Sequence, residues 1–573
     1  MDHKNITWKL SDLLTENNLE QEKAEIRRLA DHLSSYREHY TEKITPQIFR
    51  KILLEKEVLL IKLSNLGAYA HLSYAKKTND PKAQAFVLQI EGLGAEISNK
   101  ILFLSLLFKQ FPEKHAQRLI KALPNYKHYL ERVRQFKPNT LSEEVEKVIN
   151  IKDITGTEAL NAVYDTLTAE FTFDFFGKKF TQEELLKYVR GPDQKKREQA
   201  YELLITTYQK QKNVISIIYQ NIVHDWKNEA KLRNYLSPIS VRNKANDLAD
   251  EDVELLLKVF QKNISVFQEY FKVKAKILGI KKLRRYDIYA PLEKKEKEYT
   301  FPEAKELVLT SFSPFQEFVN AAQLIIEDHL DSVIQPGKRG GAFCYGPHPR
   351  IKPYILMNFT GDIKSVQTLA HELGHGIHDT LASHNHYFHF KPALPIAETA
   401  STFAEILLIE YLKGKHPELK KALTLEQLDD AYATIARQFQ FVLFEKEAHE
   451  AIKQGKTSEE IEKLYLQQLK KHFGNNVEVP DSFRYEYLYV SHFFHTPFYC
   501  YAYGFGLLLA FSLFSYYQKD KDFKRKILLI LASGSNDAPK EILKKANITL
   551  DEAFWQSGFD YLRDLIDALK KSK

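Results

Sequence analysis

Hydrophobic positions recur at helical spacing along most of this chain. Between residues 362 and 383, Ile363, Val366, Leu369, Ala370, Leu373, Ile377 and Leu381 fall three, one and four apart. That is the repeat of one helix face, not the alternation of a strand. It predicts a single helix from Asp362 to Ser383, with Asp362, just after Gly361, as its N-cap. Residues from about 17 to 190 read as further helices with short breaks, with Leu59 to Leu66 and Leu102 to Phe108 as core stripes. Residues 194–280 and 425–473 continue as long helices. Thr181/Glu184, Thr424/Gln427, Thr457/Glu460 and Thr549/Glu552 have the spacing of capping boxes. Strand-like stretches are few. Phe171 to Phe175, followed by Gly177 and Phe180, predicts a hairpin. Tyr286 to Ala290, Ala342 to Tyr345 and Tyr354 to Phe359 predict a small sheet just ahead of the 362–383 helix. The fold class is therefore mainly α with a small β-sheet. The break at Arg190-Gly191-Pro192-Asp193 divides the chain into an N-terminal helical lobe, 1–191, and a larger domain, 192–573.

The 362–383 helix also carries the chemistry. It contains His371-Glu372-Leu373-Gly374-His375, an H-E-x-x-H segment. Residues four apart sit one turn apart on one helix face, so His371 and His375 can aim two imidazoles at one ion, with Glu372 beside them. Zinc takes neutral His nitrogens, and a catalytic zinc keeps one position for water; a neighbouring carboxylate can take a proton from that water. Five residues arise by chance in roughly 4% of chains of this histidine content, so a third ligand is needed. The extended pattern with a glycine and a third histidine is absent, because positions 378 and 381 are His378 and Leu381. Asp379 lies eight residues from His371, about 12 Å along a helix, too far to share one ion.

The third ligand must come from another element. Pro395 suits a first helical turn, and the residues after it read as a largely apolar helix bearing Glu398 and Glu405 seven apart. Carboxylates on such a helix are costly unless paired or metal-bound. Glu398 is the candidate third ligand, and Glu405 the candidate acceptor from a ligand imidazole, fixing its tautomer. A structural ion pair to Lys or Arg is the alternative for both. His384, His386 and His389 compete from the intervening loop, and His378 is either a donor behind the ligands or a core histidine. Gly340 and Gly341, ahead of the Ala342 to Tyr345 stretch, either let a substrate backbone approach an exposed strand edge or form a plain turn.

Composition narrows the class. With 44% hydrophobic and 27% charged residues, the chain reads as an ordinary folded protein. The net charge of +7 comes from interspersed Lys+Arg 82 and Asp+Glu 75, without a dominant basic block, so nucleic acid is not an expected partner. Ile101 to Phe108 and Phe505 to Phe514 are too short for membrane spans, which need about 20 apolar residues. The opening Met1 to Asn5 is polar and has no signal-peptide core, and the tail Lys570 to Lys573 reads as solvated. Two cysteines, Cys344 and Cys500, do not make a disulfide framework; they are either buried small side chains or a free thiol near the site. Cytoplasm is the expected compartment.

Several segments together resemble oligoendopeptidase F, a branch of the thimet-oligopeptidase-like M3 zinc metallopeptidases. They are Trp8 to Leu13, Lys338 to Cys344, Pro353 to Gly361, Thr368 to His375, Ala397 to Phe403 and His492-Phe493-Phe494-His495-Thr496-Pro497-Phe498-Tyr499-Cys500-Tyr501-Ala502-Tyr503-Gly504. The resemblance covers nearly the whole chain in family order. It implies a mostly helical, two-lobed fold whose deep groove admits short unstructured peptides. It implies one zinc ion on His371, His375 and Glu398, with Glu372 as general base. It also implies that His492 and a tyrosine, Tyr499 first with Tyr501 and Tyr503 behind it, stabilise the tetrahedral intermediate. The expected activity is internal cleavage of oligopeptides by this protease. The rival readings are a zinc carboxypeptidase or dipeptidase of similar helical build and a non-catalytic peptide-binding protein. Oligomeric state is left open.

Overall fold

The computed structural model describes residues 6–15, 18–292 and 297–571. The opening Met1 to Asn5 and the last two residues, on which the polar-leader and solvated-tail expectations partly rest, lie outside these. The fold is mainly helical, with three small sheets among the described residues. Two compact units emerge. The first takes the described residues of 1–138, 296–411 and 520–548, and the second those of 139–295, 412–519 and 549–573. The break at Arg190 to Asp193 falls inside the second unit, between the helices Gln182–Val189 and Gln194–Lys210.

In the first unit the N-terminal helices, among them Pro46–Lys76 and Pro81–Gln110, share one apolar core with a distant piece of chain. Trp8, Leu33, Phe49, Leu66, Ile97 and Leu119 cluster with Tyr354 and Leu356. The two latter belong to the central strand of a three-stranded sheet. Tyr354–Leu356 runs parallel to Leu330–Asp331 and antiparallel to Phe343–Tyr345, with Phe343 opposite Leu356 and Tyr345 opposite Tyr354. Phe343–Tyr345 is therefore an edge strand, and Gly341 just before it has φ +74°. The third predicted strand of this sheet, Tyr286 to Ala290, is not one. Arg285–Asp287 is a single 3₁₀ turn, in which the Asp287 carboxylate accepts from both the Arg284 backbone and side chain. Its place in the sheet is taken by Leu330–Asp331.

The second unit is built on long helices. Glu552–Lys571 packs against both Tyr501–Lys519 and Asp250–Ile277, and Gly558 allows the first approach, since a Cβ there would lie 2.7 Å from a Leu508 methyl. The predicted hairpin forms, Phe173–Phe175 with Lys178–Phe180. Its two turn residues, Phe176 and Gly177, both have positive φ (49° and 73°), as a two-residue hairpin turn requires. Among the described residues no helix is long and apolar enough to cross a membrane. Phe505 to Phe514 is a fully buried stretch of the Tyr501–Lys519 helix, and Ile101 to Phe108 lies within Pro81–Gln110, where Leu102 faces solvent rather than the core.

Two of the four predicted capping boxes form, at Thr181/Glu184 and Thr457/Glu460. Thr424 is instead interior to the Lys420–Ala431 helix, where its hydroxyl donates to the Lys420 carbonyl at 2.7 Å. At the last helix Asp551, not Thr549, accepts from the Phe554 N–H at 2.9 Å. Thr300/Glu303 forms a further box. Replacing Thr457 with Ala removes the acceptor for the Glu460 N–H and is expected to lower unfolding free energy by about 1 kcal/mol, readable as a shifted midpoint in urea with an unchanged slope.

Candidate active site

The Ile363–Ala382 helix is anchored at its start. The Asp362 carboxylate accepts from the Ser365 N–H at 2.7 Å. Gly361, at φ +87°, accepts through its carbonyl from the Tyr299 N–H at 2.7 Å, and a Cβ there would sit a tight 3.1 Å from the Tyr299 carbonyl oxygen. The helix packs on the Gln316–Asp328 and Phe301–Ser311 helices and on the strands Phe343–Tyr345 and Tyr354–Leu356. One helix is thus buried along its apolar stripe, with His371 and His375 left half-buried on its remaining face.

The segment after Pro395 meets that face. It is not one continuous helix: Leu394–Ala397 forms a first turn, Glu398 closes it, and Thr399–Lys415 follows. Gly374, inside the H-E-x-x-H segment, permits the contact. A Cβ there would lie 2.5 Å from Ser401 Cα and 2.7 Å from the Ala400 carbonyl oxygen. The two backbones therefore touch where Glu398 turns toward the histidines. His378, fully buried, adds a hydrogen bond to the Ala397 backbone, and burial depresses its pKa to about 3, so it stays neutral.

The donor atoms converge. His371 Nε2 and His375 Nε2 are 3.2 Å apart, and Glu398 Oε2 lies 3.7 Å from the first and 3.4 Å from the second. Among the described residues, these three form the one group of His, Cys, Asp or Glu side chains close enough to hold a metal ion. A tetrahedral zinc with ligand bonds of about 2.0–2.1 Å separates its donors by about 3.3 Å, so the observed edges fit. His371 Nδ1 donates to Glu405 Oε1 at 2.6 Å, which directs the other ring nitrogen toward the cluster, and Ser401 Oγ donates to Glu398 Oε2 at 2.9 Å. Burial alone would lower the His371 pKa, but Glu405 and the neighbouring carboxylates outweigh it and raise it to about 9. Burial likewise pushes Glu398 up, and the two imidazoles with Ser401 pull it down to about 2. Both shifts come from the imidazoles and carboxylates lying against one another.

Glu372 lies beside the cluster, 7% exposed. Burial raises its pKa, with His371 and His375 opposing. Glu372, His371, His375 and His378 line a cavity of about 390 Å³ together with the edge-strand residues Phe343 and Cys344. The other candidates fall away. Asp379 pairs with Lys391 at 2.7 Å. His389 Nδ1 donates to the Ser535 carbonyl, His386 stacks on Tyr126, and His384 bonds the Leu381 carbonyl. Cys344 and Cys500 are both free thiols; Cys344 is on the cavity wall and Cys500 is buried.

The second unit gathers the other predicted residues. In the run Phe493 to Gly504, most side chains are buried, and His492, Tyr499 and Tyr503 are half-buried. The His492 ring stacks beside Tyr499 with centroids 5.9 Å apart, Tyr499 meets Tyr503 edge-on at 5.3 Å, and His492 Nε2 lies 3.4 Å from the Tyr503 hydroxyl. Burial lowers the His492 pKa, with Arg437 and His495 adding to it. Tyr501 is different: it is fully buried, and Asn246 donates to its hydroxyl at 2.9 Å. Gly504 serves close helix packing, since a Cβ there would meet the Phe439 ring at 2.6 Å.

Comparison with known proteins places the chain in a family. The oligopeptidase PepF of Bacillus subtilis is 25% identical over 99% of this chain and 88% of its own length. The group B oligopeptidase PepB of Streptococcus agalactiae is 26% identical over 95% of this chain and 93% of its own. In the crystal structure of oligoendopeptidase-F from Enterococcus faecium the same fold recurs with a TM-score of 0.71, at 21% identity, covering 97% of this chain and 99% of that one. The sequence model of oligopeptidase F matches residues 108–173. That of peptidase family M3 matches residues 187–556, well over half of the sequence, and the chain belongs to that family.

Proposed function

We propose that this protein is a zinc-dependent endopeptidase that hydrolyses internal bonds of short, unstructured peptides. The observation that carries the reading is the convergence of His371, His375 and Glu398 on one point, with the buried carboxylate of Glu372 on the same helix and the same cavity. His371 and His375 through Nε2, and Glu398 through a carboxylate oxygen, would hold the ion. When bound, zinc supplies a Lewis acid that acidifies water and polarises a carbonyl. Glu372 takes a proton from the attacking water and passes it to the leaving amine. His492 and Tyr499, with Tyr503 behind them, donate to the carbonyl oxygen as it becomes an oxyanion. The edge strand Phe343–Tyr345, on the wall of the same cavity, offers unpaired backbone groups to an extended peptide. A peptide-binding protein has no use for a buried base beside such a cluster.

The test is a peptide blocked at both ends and internally quenched. Internal cleavage that a chelator stops and zinc restores is the expected result. A carboxypeptidase or dipeptidase would leave that peptide whole and trim a free-ended one; a binding protein would cut neither.

Two further outcomes follow from Glu405. In the metal-free protein His371 is protonated up to about pH 9, so zinc uptake must expel a proton. Apparent zinc affinity is therefore expected to weaken by about tenfold per pH unit on going down from that value, and titration in two buffers of different ionisation heat reads the released proton. Glu405→Ala removes the acceptor that orients His371 and is expected to cost about 10–100-fold in zinc affinity, measured by chelator competition.

A further inference from the structure

The turn that leads into the tyrosine segment is held from two sides by charged residues far away in sequence. Phe498 is fully buried and has φ +58°, a left-handed conformation that a bulky residue adopts only when its surroundings impose it. Its N–H donates to Glu445 Oε1 at 2.8 Å. Glu445 is itself 1% exposed and sits on the Arg437–Lys453 helix. On the other side, Arg242 Nε donates to the Pro497 carbonyl at 3.2 Å. The Arg242 guanidinium lies between two rings, 5.8 Å from the centroid of Tyr499 and 5.6 Å from that of Trp226, and the Trp226 indole N–H is tied to the Pro238 carbonyl at 2.9 Å. Successive residues of one turn, Pro497, Phe498 and Tyr499, are thus each gripped by Arg242 or Glu445.

We propose that Arg242 and Glu445 are positioning residues for Tyr499: they hold the Pro497–Phe498 turn in its left-handed form and so fix where the Tyr499 phenol stands. This rests on the reading of Tyr499 as an oxyanion donor. The physical case is that Tyr499 precedes the Tyr501–Lys519 helix, its N–H donating to the Thr496 carbonyl and its own carbonyl accepting from the Ala502 N–H, each at 3.1 Å, so its backbone belongs to the Pro497–Phe498 turn rather than to the helix body. The φ of Phe498 and the flat cation 5.8 Å from its ring constrain its direction, beside the His492 and Tyr503 rings that it meets. Glu445 and Arg242 lie on different helices, Arg437–Lys453 and Pro238–Ala245, so the turn is triangulated rather than fixed to one element. Glu445 needs only one carbonyl-type oxygen for this task. Burial pushes its carboxyl up to about 8, with the Phe498 N–H and Arg242 opposing, and a neutral side chain of the same shape can do the same work.

A double-mutant cycle on kcat for the quenched peptide decides the matter, with thermal unfolding and bound zinc recorded for each variant. Arg242→Ala and Tyr499→Phe are each expected to lower kcat by about 10²–10³-fold, with KM within about twofold of wild type. The double variant is expected to be no slower than Tyr499→Phe alone, because the arginine acts through the phenol. Arg242→Lys keeps the charge but not the planar group and is expected to follow Arg242→Ala; it serves as the arm of the cycle if the alanine variant does not fold. Glu445→Gln keeps the acceptor for Phe498 and is expected to retain kcat to within about threefold, whereas Glu445→Leu falls with Arg242→Ala. Losses that multiply in the double variant, or wild-type kcat in both Arg242→Lys and Glu445→Leu, would overturn the positioning role while leaving Tyr499 in place. Wild-type kcat in Tyr499→Phe would overturn the reading of Tyr499 itself, and the positioning role with it.

Discussion

Glu372→Gln is expected to bind zinc like the wild type and to lose about 10³–10⁴-fold in kcat, the upper range for removal of a general base. The side chain keeps its size, so the 390 Å³ cavity and the packing of the Ile363–Ala382 helix should not change. Glu372 is outside the donor set of His371, His375 and Glu398, which is why metal content and activity should separate in this variant. An amide cannot accept the proton of the attacking water, and the neighbouring carboxylates are engaged elsewhere. Glu398 faces the two imidazoles, Glu405 is bound to His371 Nδ1, and Asp379 is paired with Lys391. KM should stay within about twofold, since the lost interaction belongs to the transition state rather than to ground-state binding. Zinc determination and steady-state kinetics on the same samples check both halves. A variant that lost metal and activity together would make Glu372 a structural part of the donor set, and one that kept both would remove it from the mechanism.

The metal helix is legible in the sequence because its signals are local and agree with one another. An apolar stripe and an aspartate cap just after a glycine place its start within a residue of where it lies. The same holds for the Phe173–Phe180 hairpin and for Thr181 and Thr457. Thr424 has the same spacing to its glutamine as those caps to their glutamates, yet it lies inside a helix. Local pattern cannot distinguish a threonine that caps the next turn from one whose hydroxyl bonds the carbonyl four residues back. The strand expected at Tyr286 to Ala290 fails for a related reason. Its residues are strand-like in type, but Arg197 and Arg284 hold the Asp287 carboxylate in a 3₁₀ turn.

What the sequence does not carry is tertiary. A chain break at Arg190 to Asp193 marks a turn between two helices, whereas the compact units are assembled from three separate stretches each, and no local composition shift records that. The break of the helix at Glu398 is likewise invisible from spacing alone. Arg242 and Glu445 are about two hundred residues apart, carry no motif, and acquire meaning only where both reach the same turn. The tyrosines illustrate the division. The resemblance ranks Tyr499 ahead of Tyr501 and Tyr503 without a physical reason; burial and the Asn246 hydrogen bond set Tyr501 apart from the two half-buried tyrosines.

Gly374→Ala should abolish function from a position with no reactive group. Spacing makes this residue look like a mere gap between Glu372 and His375, and a helix interior ordinarily gains about 1 kcal/mol when glycine becomes alanine. Here the added methyl would lie 2.5 Å from Ser401 Cα, 2.7 Å from the Ala400 carbonyl oxygen and 2.9 Å from Ser401 N. These are backbone atoms of the turn that presents Glu398, and they have no rotamer with which to yield. Two backbones must separate by the order of 1 Å to reach ordinary contact near 3.5 Å. That displacement moves Glu398 away from His371 and His375, whose donor edges of 3.2, 3.4 and 3.7 Å leave no slack for a bond length near 2.1 Å. The expected result is a folded protein, destabilised by about 1–3 kcal/mol from overpacking, with zinc affinity lower by at least about 10²-fold as one of three ligands is withdrawn. Gly376→Ala is the control on the same helix. Its methyl would meet the end of the Ile325 side chain at 2.6 Å, which can rotate aside, so metal affinity should stay within about threefold of wild type while stability falls modestly. Chelator competition and thermal unfolding on the two variants separate a loss of donor geometry from a loss of packing, and equal zinc affinities in both would show that the Ser401 contact does not set the position of Glu398.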